Sequence, residues 1–277
     1  MVFFPLSVRI CCGDFHEFLS FFWSRINAFG GAVSYKFRPI NKWLLESLAC
    51  STIYIPSFEQ LNDPFDCQLD IDFLFKNAAD LASQRGDVFI ERILKDVDFK
   101  EGWKREVLDI GVYSVSFFES EVDSILYQRL MWSHYADRHT GLCIKYSDKF
   151  TQHVILRAQS SGAVNYLDRQ NSEEVIVNKI CDLPREQEAF SIGLRDIFLF
   201  TKESSWRYEK EGRFVVDKKG AWELPEGCIE AVYFGVNTSK NDVDLVMKLA
   251  RLYSGCNKFF KAKKSGVFDL CFEDMSE

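Results

Sequence analysis

Residues 202–217 read KESSWRYEKEGRFVVD, and the second half of this stretch alternates as a β-strand does. Because side chains alternate across a pleat, we expect Glu209, Glu211 and Arg213 on one face and apolar residues such as Phe214 on the other. Two carboxylates that share a face raise each other's pKa, so such a face favours a cationic or polyhydroxyl partner. The simpler alternative is a solvated outer face. The stretch therefore predicts a strand with one core face and one face that can carry chemistry.

Two earlier stretches repeat this alternation. VSYKFRP alternates aromatic residues with Lys36 and Arg38, and GVYSVSF alternates apolar residues with Ser114 and Ser116. Each strand would bury aromatic side chains behind a pair of polar ones. Brought side by side, a basic pair, a hydroxyl pair and a carboxylate pair would form one polar cleft over an apolar floor. We therefore expect the three strands to converge on a single site.

The composition is typical of a globular protein. The chain has 277 residues, of which 47% are hydrophobic, enough for one large domain, which we favour, or for two small ones. Its net charge of −7 argues against a broad duplex-binding surface, because an acidic protein repels phosphate backbones at long range. The sequence has no run of ~18 apolar residues, so we expect no membrane-spanning segment.

The cysteines and histidines argue against disulfides and metal sites. The nine cysteines are odd in number and show no C-x-x-C spacing. Reduced, buried thiols are therefore expected, which favours a cytoplasmic protein. Of the four histidines only His134 and His139 are neighbours, and their spacing does not place two ligands along one helix face. We therefore expect no bound metal.

The chain divides into a short extension and one main domain. Residues 1–31 are rich in Phe and poor in charge, and we interpret them as an N-terminal aromatic helical extension that packs on the domain; a membrane-surface helix is the alternative. Residues 32–277 predict a single α+β domain, since short strands are scattered among helices. The charged stretch around residues 73–110 has helical spacing and is expected to be a helical insertion on one side.

Residues 57–67 form a turn segment in this interpretation. The side chains of Asn62 and Asp63 can satisfy local backbone donors, and the proline that follows restricts Asp63 to extended conformations. We expect this loop to rim the cleft. The alternative is a rigid loop that holds no ligand.

Residues 124–141 predict an aromatic helix. Helical spacing would align Met131 with Tyr135 and His134 with Arg138. A histidine in such a helix is either a packed, hydrogen-bonded group or a participant in the site, and the packed role is the more common one.

Taken in order, these motifs resemble the domain of unknown function 2971 family of bacterial proteins. The motifs that carry the resemblance are YKFR at 35–38, LNDPFD at 61–66, SVS at 114–116, LMWSHYA at 130–136, and Lys202 with WRYEKEGR at 206–213. The family name implies no activity.

The layout is also similar, more distantly, to that of ADP-ribosyltransferases. In that superfamily a first strand carries a cation or imidazole that holds NAD, a middle strand carries a hydroxyl pair and a late strand carries Glu-x-Glu. The residues that fall on these positions are Lys36 or Arg38, then Ser114 and Ser116, then Glu209 and Glu211. The resemblance implies an ADP-ribosyltransferase-like split, mixed or antiparallel β core with flanking helices, and NAD as substrate. Because Lys36 stands where the histidine class has His, both first-strand cations stay open as the NAD-holding residue.

The resemblance also implies a role for each residue. Glu211 would hydrogen-bond the ribose hydroxyl and stabilise an oxocarbenium-like transition state, while Glu209 would activate or orient the acceptor nucleophile. Ser114 or Ser116 would position Glu211 and the nicotinamide ribose. The first-strand cation would bind the pyrophosphate or ribose, and Arg213 is placed among the substrate-binding residues. The residues expected to support the site are Asn62, Asp63, Trp132, His134, Tyr135, Lys202 and Trp206.

These residues favour one function and leave two alternatives. The favoured function is NAD-dependent ADP-ribosyl transfer, with a protein, nucleic acid or water as acceptor. The biological role that goes with it is that of a bacterial toxin or a phage-defence effector. The first alternative is a non-catalytic module that binds a nucleotide or a protein. The second is a nuclease in which His134, Glu209, Glu211 and Lys202 are the working groups.

Overall fold

The fold is built on β-strands that a computed structural model places in one large and two small sheets. The model describes residues 33–118, 125, 128–267 and 269–276, so the predicted N-terminal extension lies outside the described residues. The strands are β1 (Val33–Arg38), β2 (Thr52–Ile55), β3 (Gly111–Phe118), β4 (Leu142–Tyr146), β5 (Ser160–Ala163), β6 (Asn165–Leu167), β7 (Thr201–Glu203), β8 (Glu211–Val216), β9 (Gly220–Glu223), β10 (Ile229–Phe234), β11 (Phe259–Ser265) and β12 (Asp269–Asp274).

Helices flank these strands, which confirms the predicted α+β class. In the described part of the chain they are α1 (Lys42–Ala49), α2 (Ile71–Arg85), α3 (Val88–Lys95), α4 (Val97–Leu108), α5 (Arg129–His134), α6 (Asp148–Ile155), α7 (Ser172–Cys181), α8 (Gln187–Leu199) and α9 (Lys240–Leu249). Side-chain caps begin several of them; Asn41 Oδ1 accepts a hydrogen bond from the Leu44 amide at 3.1 Å. Helices α2 to α4 occupy the stretch where a helical insertion is expected.

The large sheet is open and mixed. Its eight strands lie in the order β12-β11-β10-β4-β1-β3-β8-β5, while β2 pairs with β9 and β6 pairs with β7. All neighbours in the large sheet are antiparallel except β10 and β11. The three strands predicted to converge, β1, β3 and β8, are therefore direct neighbours.

Strands β1 and β3 part along their length. Their pairing ends where Tyr35 lies opposite Ser116. Beyond that point β1 stays with β4 as far as Arg38, and β3 stays with β8 as far as Gly111. We call the opening between residues 36–38 and residues 111–115 the fork.

Among the described residues, three hydrophobic clusters pack helices against the large sheet. Helices α1, α6 and α9 cover one face, with Leu44, Phe150 and Val246 among the buried contacts. On the other face, α2, α3, α4, α7 and α8 form a helical lobe over the β3 and β8 end of the sheet. The third cluster packs Met131 and Trp132 of α5 against β1, β4 and β10. The predicted site residues of β1, β3 and β8 lie at or beside the fork.

Local structure differs from the sequence prediction at two places. Glu209 is not on the predicted strand: it ends a 3₁₀ helix, Ser204–Glu209, and Lys210 then adopts a left-handed conformation with φ 45° before β8 begins. The predicted aromatic helix is also shorter, because α5 ends at His134. The next turn contains a left-handed run of three residues, Asp137, Arg138 and His139, with φ of 43°, 55° and 68°. The predicted helical pairing of His134 with Arg138 is therefore wrong.

Within the described ranges, none of the helices combines the length and apolarity needed to cross a membrane. The cysteines of the same ranges are all free thiols, of which Cys50 and Cys271 are exposed and the others buried. The expected burial is found for the others but not for Cys50 and Cys271, and the reduced state stays a prediction.

Candidate functional site

The fork opens into a cleft of about 550 Å³. This volume lies within the range of small-molecule sites, ≈ 300–1,000 Å³. The predicted site residues that line it are Lys36, Arg38, Asn62, Asp63, Ser114, Ser116, His134, Tyr135, Lys202, Glu209 and Glu211. The predicted convergence on one cleft is therefore confirmed. Arg213, Trp132 and Trp206 do not line the cleft.

The polar pairs reach the cleft from different faces of the sheet. Tyr35 lies opposite Ser116, and Ser116 lies opposite Glu211. Because opposed residues in antiparallel strands share a face, Tyr35 rather than Lys36 is on the face of Glu211. The predicted cleft therefore draws its polar residues from both faces of the sheet. Lys36 still reaches the cleft because the strands part there, and its Nζ donates to the Ser114 carbonyl across the fork at 2.5 Å.

Lys202 contacts three carboxylates in the cleft. Its Nζ lies 2.6 Å from Glu209 Oε2, 3.0 Å from Glu211 Oε2 and 3.0 Å from Asp66 Oδ2. An ammonium group has three protons, so these three carboxylates can engage all of its donors. The three carboxylates and the lysine are all buried. The donors of Lys202 are therefore engaged by the carboxylates and are not free for a ligand.

Arg213 contacts two of these carboxylates, those of Glu211 and Asp66, from the buried side. It is fully buried, with Nε 2.7 Å from Glu211 Oε1 and Nη2 2.6 and 2.8 Å from the two oxygens of Asp66. Its Nη1 donates to the Leu199 carbonyl at 2.5 Å and to Cys67 Sγ at 2.8 Å. These partners occupy the five donors of the guanidinium. The placement of Arg213 among the substrate-binding residues is therefore wrong: it anchors Glu211 and does not face a ligand.

Asp66 is the residue of this centre that sequence reasoning missed. It pairs with both cations, Lys202 and Arg213, from the end of the LNDPFD motif. In the sequence, Asp66 is marked only by its place in a turn segment rich in Asn and Asp. Such a segment usually indicates side chains that accept hydrogen bonds from nearby backbone amides. Had Arg213 been assumed to be buried, its charge would have required a second carboxylate besides Glu211, because buried arginines are almost always paired.

The pKa values of the two glutamates move in opposite directions. Burial raises the pKa of Glu211, but Arg213 and then Lys202 and a hydrogen bond from Ser114 lower it more, so the net shift is strongly downward. Burial also raises the pKa of Glu209, and there the opposing effect of Lys202 is too small to reverse it. Glu211 is thus held ionised, while Glu209 is the more basic carboxylate.

Glu209 reaches the centre from the 3₁₀ helix rather than from the strand. Its Oε1 accepts the hydroxyl proton of Tyr135, and its Oε2 faces Lys202. Tyr135 thereby connects the end of α5 to the carboxylate centre. Burial, and then the negative charge of Glu209, raise the pKa of Tyr135, so its phenol stays protonated and donates.

The hydroxyl strand lies beside Glu211. Ser116 lies directly opposite Glu211 in the antiparallel pair, and Ser114 lies opposite Arg213. The Glu211 amide donates to the hydroxyl of Tyr166 at 2.9 Å. The choice between the two serines as the positioning group stays open, because Ser116 lies opposite Glu211 and Ser114 contributes to its lowered pKa.

The first-strand cations also line the cleft. Lys36 Nζ is 4.9 Å from the centroid of the Tyr113 ring, and Arg38 is in the same lining. Burial, followed by the charge of Arg38, lowers the pKa of Lys36 to about 8, with Glu211 and Glu209 opposing. Lys36 is therefore still mainly protonated at pH 7, and a bound anion would raise its pKa further.

The remaining supporting residues rim or brace the cleft. Asp63 Oδ1 accepts from the Phe65 amide at 3.0 Å, as expected for a loop stabilised by its own side chains, and Asn62 is exposed at the rim. Trp132 is buried with its ring edge-on to Phe37, at a centroid distance of 5.1 Å. The ring centroid of Trp206 lies 5.1 Å from Lys202 Nζ.

His134 is exposed at the mouth of the cleft, where its ring lies 6.3 Å from that of Tyr208. It does not reach the buried carboxylates by any contact in the structure. We therefore expect His134→Gln to lower turnover by less than about tenfold, well short of the ~10² loss expected from removing one electrostatic contact to the transition state. The measurement is the rate of product formation with the melting temperature as control; complete loss of turnover at unchanged stability would make His134 a direct participant.

Known proteins offer one point of comparison. Residues 131–214 match the model of a family described as Protein of unknown function (DUF2971). The matched segment runs from α5 to β8 and contains Glu209, Glu211 and Arg213, so the predicted family resemblance is confirmed over these residues. No curated protein and no solved structure matches the chain significantly. The resemblance to ADP-ribosyltransferases stays a prediction.

Proposed function

We propose that this chain, which carries the DUF2971 match from 131 to 214, is an NAD-dependent ADP-ribosyltransferase. One observation carries the proposal: a glutamate, Glu211, is held by Arg213 and Lys202 in a cleft whose lining also includes the cations Lys36 and Arg38. The strand order supports the ADP-ribosyltransferase-like interpretation of the fold, because the basic, hydroxyl and carboxylate strands are neighbours and the basic strand parts from the hydroxyl strand at the cleft.

The cleft fits NAD by charge. The dinucleotide has a cationic nicotinamide ring at one end and an anionic diphosphate in the middle. A carboxylate favours the ring and repels the diphosphate, whereas the two basic side chains favour the diphosphate. Glu211, Lys36 and Arg38 all line the cleft, which supports a ligand with this distribution of charge.

The reaction follows from the position of Glu211. The bond between nicotinamide and the ribose C1′ breaks, and nicotinamide leaves with the bonding electron pair. Positive charge develops on the ribose ring, as in glycoside cleavage, and the fixed charge of Glu211 stabilises it without reorganisation. The acceptor then donates a lone pair to C1′ and loses its proton. Glu209, whose pKa is raised by burial, is the better placed of the two carboxylates to take that proton.

The non-catalytic alternative is favoured by a different observation. Each carboxylate of the centre already faces a cation: Lys202 contacts all three, and Arg213 contacts Asp66 and Glu211. A binding module needs only such a fixed cleft. The nuclease alternative lacks comparable support, because these carboxylate oxygens converge on Lys202 and Arg213 rather than on a common cation position. Among the described residues, no group of three or more His, Cys, Asp or Glu is arranged to hold a metal ion.

The proposal is tested by following the adenylate half of NAD. The purified protein is incubated in EDTA with NAD labelled on its adenylate phosphate, with and without bacterial extract, and the products are digested by protease or nuclease. We expect the label to move to a macromolecule, or to free ADP-ribose when water is the acceptor. Label that stays in NAD under every condition would contradict the proposal, and degradation of added RNA with Mg²⁺ would favour the nuclease. A role as toxin or defence effector stays a prediction.

A further inference from the structure

The end of the cleft away from Glu211 carries an exposed aromatic residue that no role above uses. Tyr54 lines the cleft and is 46% exposed, whereas its neighbours Ile53 and Ile55 on β2 are buried. Because side chains alternate along a strand, the Tyr54 ring points away from the core. Its hydroxyl donates to Gln60 Oε1 at 3.3 Å, and the same oxygen accepts from the Ser57 amide at 3.1 Å. The ring is thus tied at its tip, and its faces are left available.

The length of strand β3 between Val112 and Ser116 gives the distance between the two ends of the cleft. At one end Ser116 lies opposite Glu211. At the other, the Val112 amide donates to the Pro56 carbonyl at 2.9 Å, two residues beyond Tyr54. The four steps from Val112 to Ser116 span about 13 Å at roughly 3.3 Å a residue. Tyr54 and Glu211 therefore lie towards opposite ends of the cleft.

The positive charges between these two ends determine which way round an anionic ligand would bind. Lys36 reaches Ser114, which lies between Val112 and Ser116 on β3, and Arg38 follows Lys36 in the same lining. The third lysine or arginine of the lining, Lys202, is engaged by three carboxylates. An anionic diphosphate is therefore favoured at the middle of the cleft and disfavoured at the Glu211 end.

We propose that Tyr54 stacks on the adenine base of the dinucleotide, so that the ligand lies with its nicotinamide ribose at Glu211, its diphosphate at Lys36 and Arg38, and its adenine at the rim formed by β2. This inference rests on the proposed function. An aromatic platform suits adenine because a base offers two apolar faces, and stacking on an aromatic side chain contributes ~1–3 kcal/mol per base.

The test is calorimetric binding of the two halves of the ligand, ADP-ribose and nicotinamide mononucleotide, to the whole protein. We expect Tyr54→Ala to weaken ADP-ribose binding by about 5- to 150-fold, the range that corresponds to that stacking energy, and to leave nicotinamide mononucleotide binding unchanged. Tyr54→Phe keeps the ring and should bind ADP-ribose nearly as the parent does. Tyr253→Ala is the matched control, because Tyr253 is 49% exposed and does not line the cleft.

The outcomes separate this inference from the proposed function. ADP-ribose binding that is equal in Tyr54→Ala and the parent overturns the adenine site alone, and so does a loss confined to nicotinamide mononucleotide. A Tyr54-dependent affinity for ADP-ribose in a protein that never cleaves NAD supports the adenine site and contradicts the transferase. A parent that binds neither half contradicts both.

Discussion

Glu211→Gln is expected to lower nicotinamide release by ~10²-fold or more while leaving the affinity for NAD nearly unchanged. Glutamine keeps the size of the side chain and an oxygen that can accept from Arg213. It removes the negative charge, whose value is greatest when positive charge develops on the ribose. The measurements are calorimetric NAD affinity and the rate of nicotinamide release.

Glu203→Gln is the matched control for this variant. Glu203 is an exposed carboxylate of the same segment, and it accepts from the Ser205 amide, a bond that glutamine can keep. We expect its affinity and turnover to equal those of the parent. If Glu211→Gln lost affinity as strongly as turnover, Glu211 would hold the ground state, and the transition-state role assigned to it would be wrong.

Arg213→Met is expected to lower the free energy of unfolding by about 3–5 kcal/mol, the usual cost of removing one partner of a buried ion pair. Methionine fills part of the space but leaves Asp66 and Glu211 without the guanidinium that contacts both. Denaturant unfolding measures the change. Arg185→Met is the control, because Arg185 pairs with Asp87 at the surface and such pairs contribute ~1 kcal/mol or less. Equal losses in the two variants would show that the buried centre does not stabilise the fold.

The same pair predicts a pH dependence. The folded-state pKa of Glu211 lies below its unfolded value, mainly because Arg213 and Lys202 outweigh the effect of burial. Its contribution to stability is therefore complete above the unfolded pKa, about 4.3, and is lost as the pH falls towards the folded value. Arg213→Met should reduce this acid-side loss, since it removes the main cause of the lowered pKa.

Local patterns in the sequence predicted most of the elements. Asn41 and the leucine stripe after it specify α1, and alternation specifies β1, β3 and β8. The same alternation failed for Glu209, because the left-handed Lys210 breaks the period of two just before β8. Alternation also could not show that β1 and β3 part, since strand register is set by neighbours far away in the chain.

The candidate site was predictable in its residue types but not in its pairing. Glu211 and Ser114 were found because each lies in a short motif on a strand. Asp66 was missed because its partner Arg213 is 147 residues away, and a buried ion pair of that separation leaves no local pattern. The same absence allowed Arg213 to be taken for a ligand-binding residue, although its complete burial excludes that role.

The central claim is that Glu211 in the fork promotes cleavage of the bond between nicotinamide and ribose. The most direct test is a single-turnover reaction, with purified protein in excess over NAD and EDTA present, in which NAD and nicotinamide are measured in each sample. The account predicts that nicotinamide appears as NAD disappears in the parent, and at least ~10²-fold more slowly in Glu211→Gln. NAD recovered intact from the parent, or equal rates in the two proteins, would contradict it.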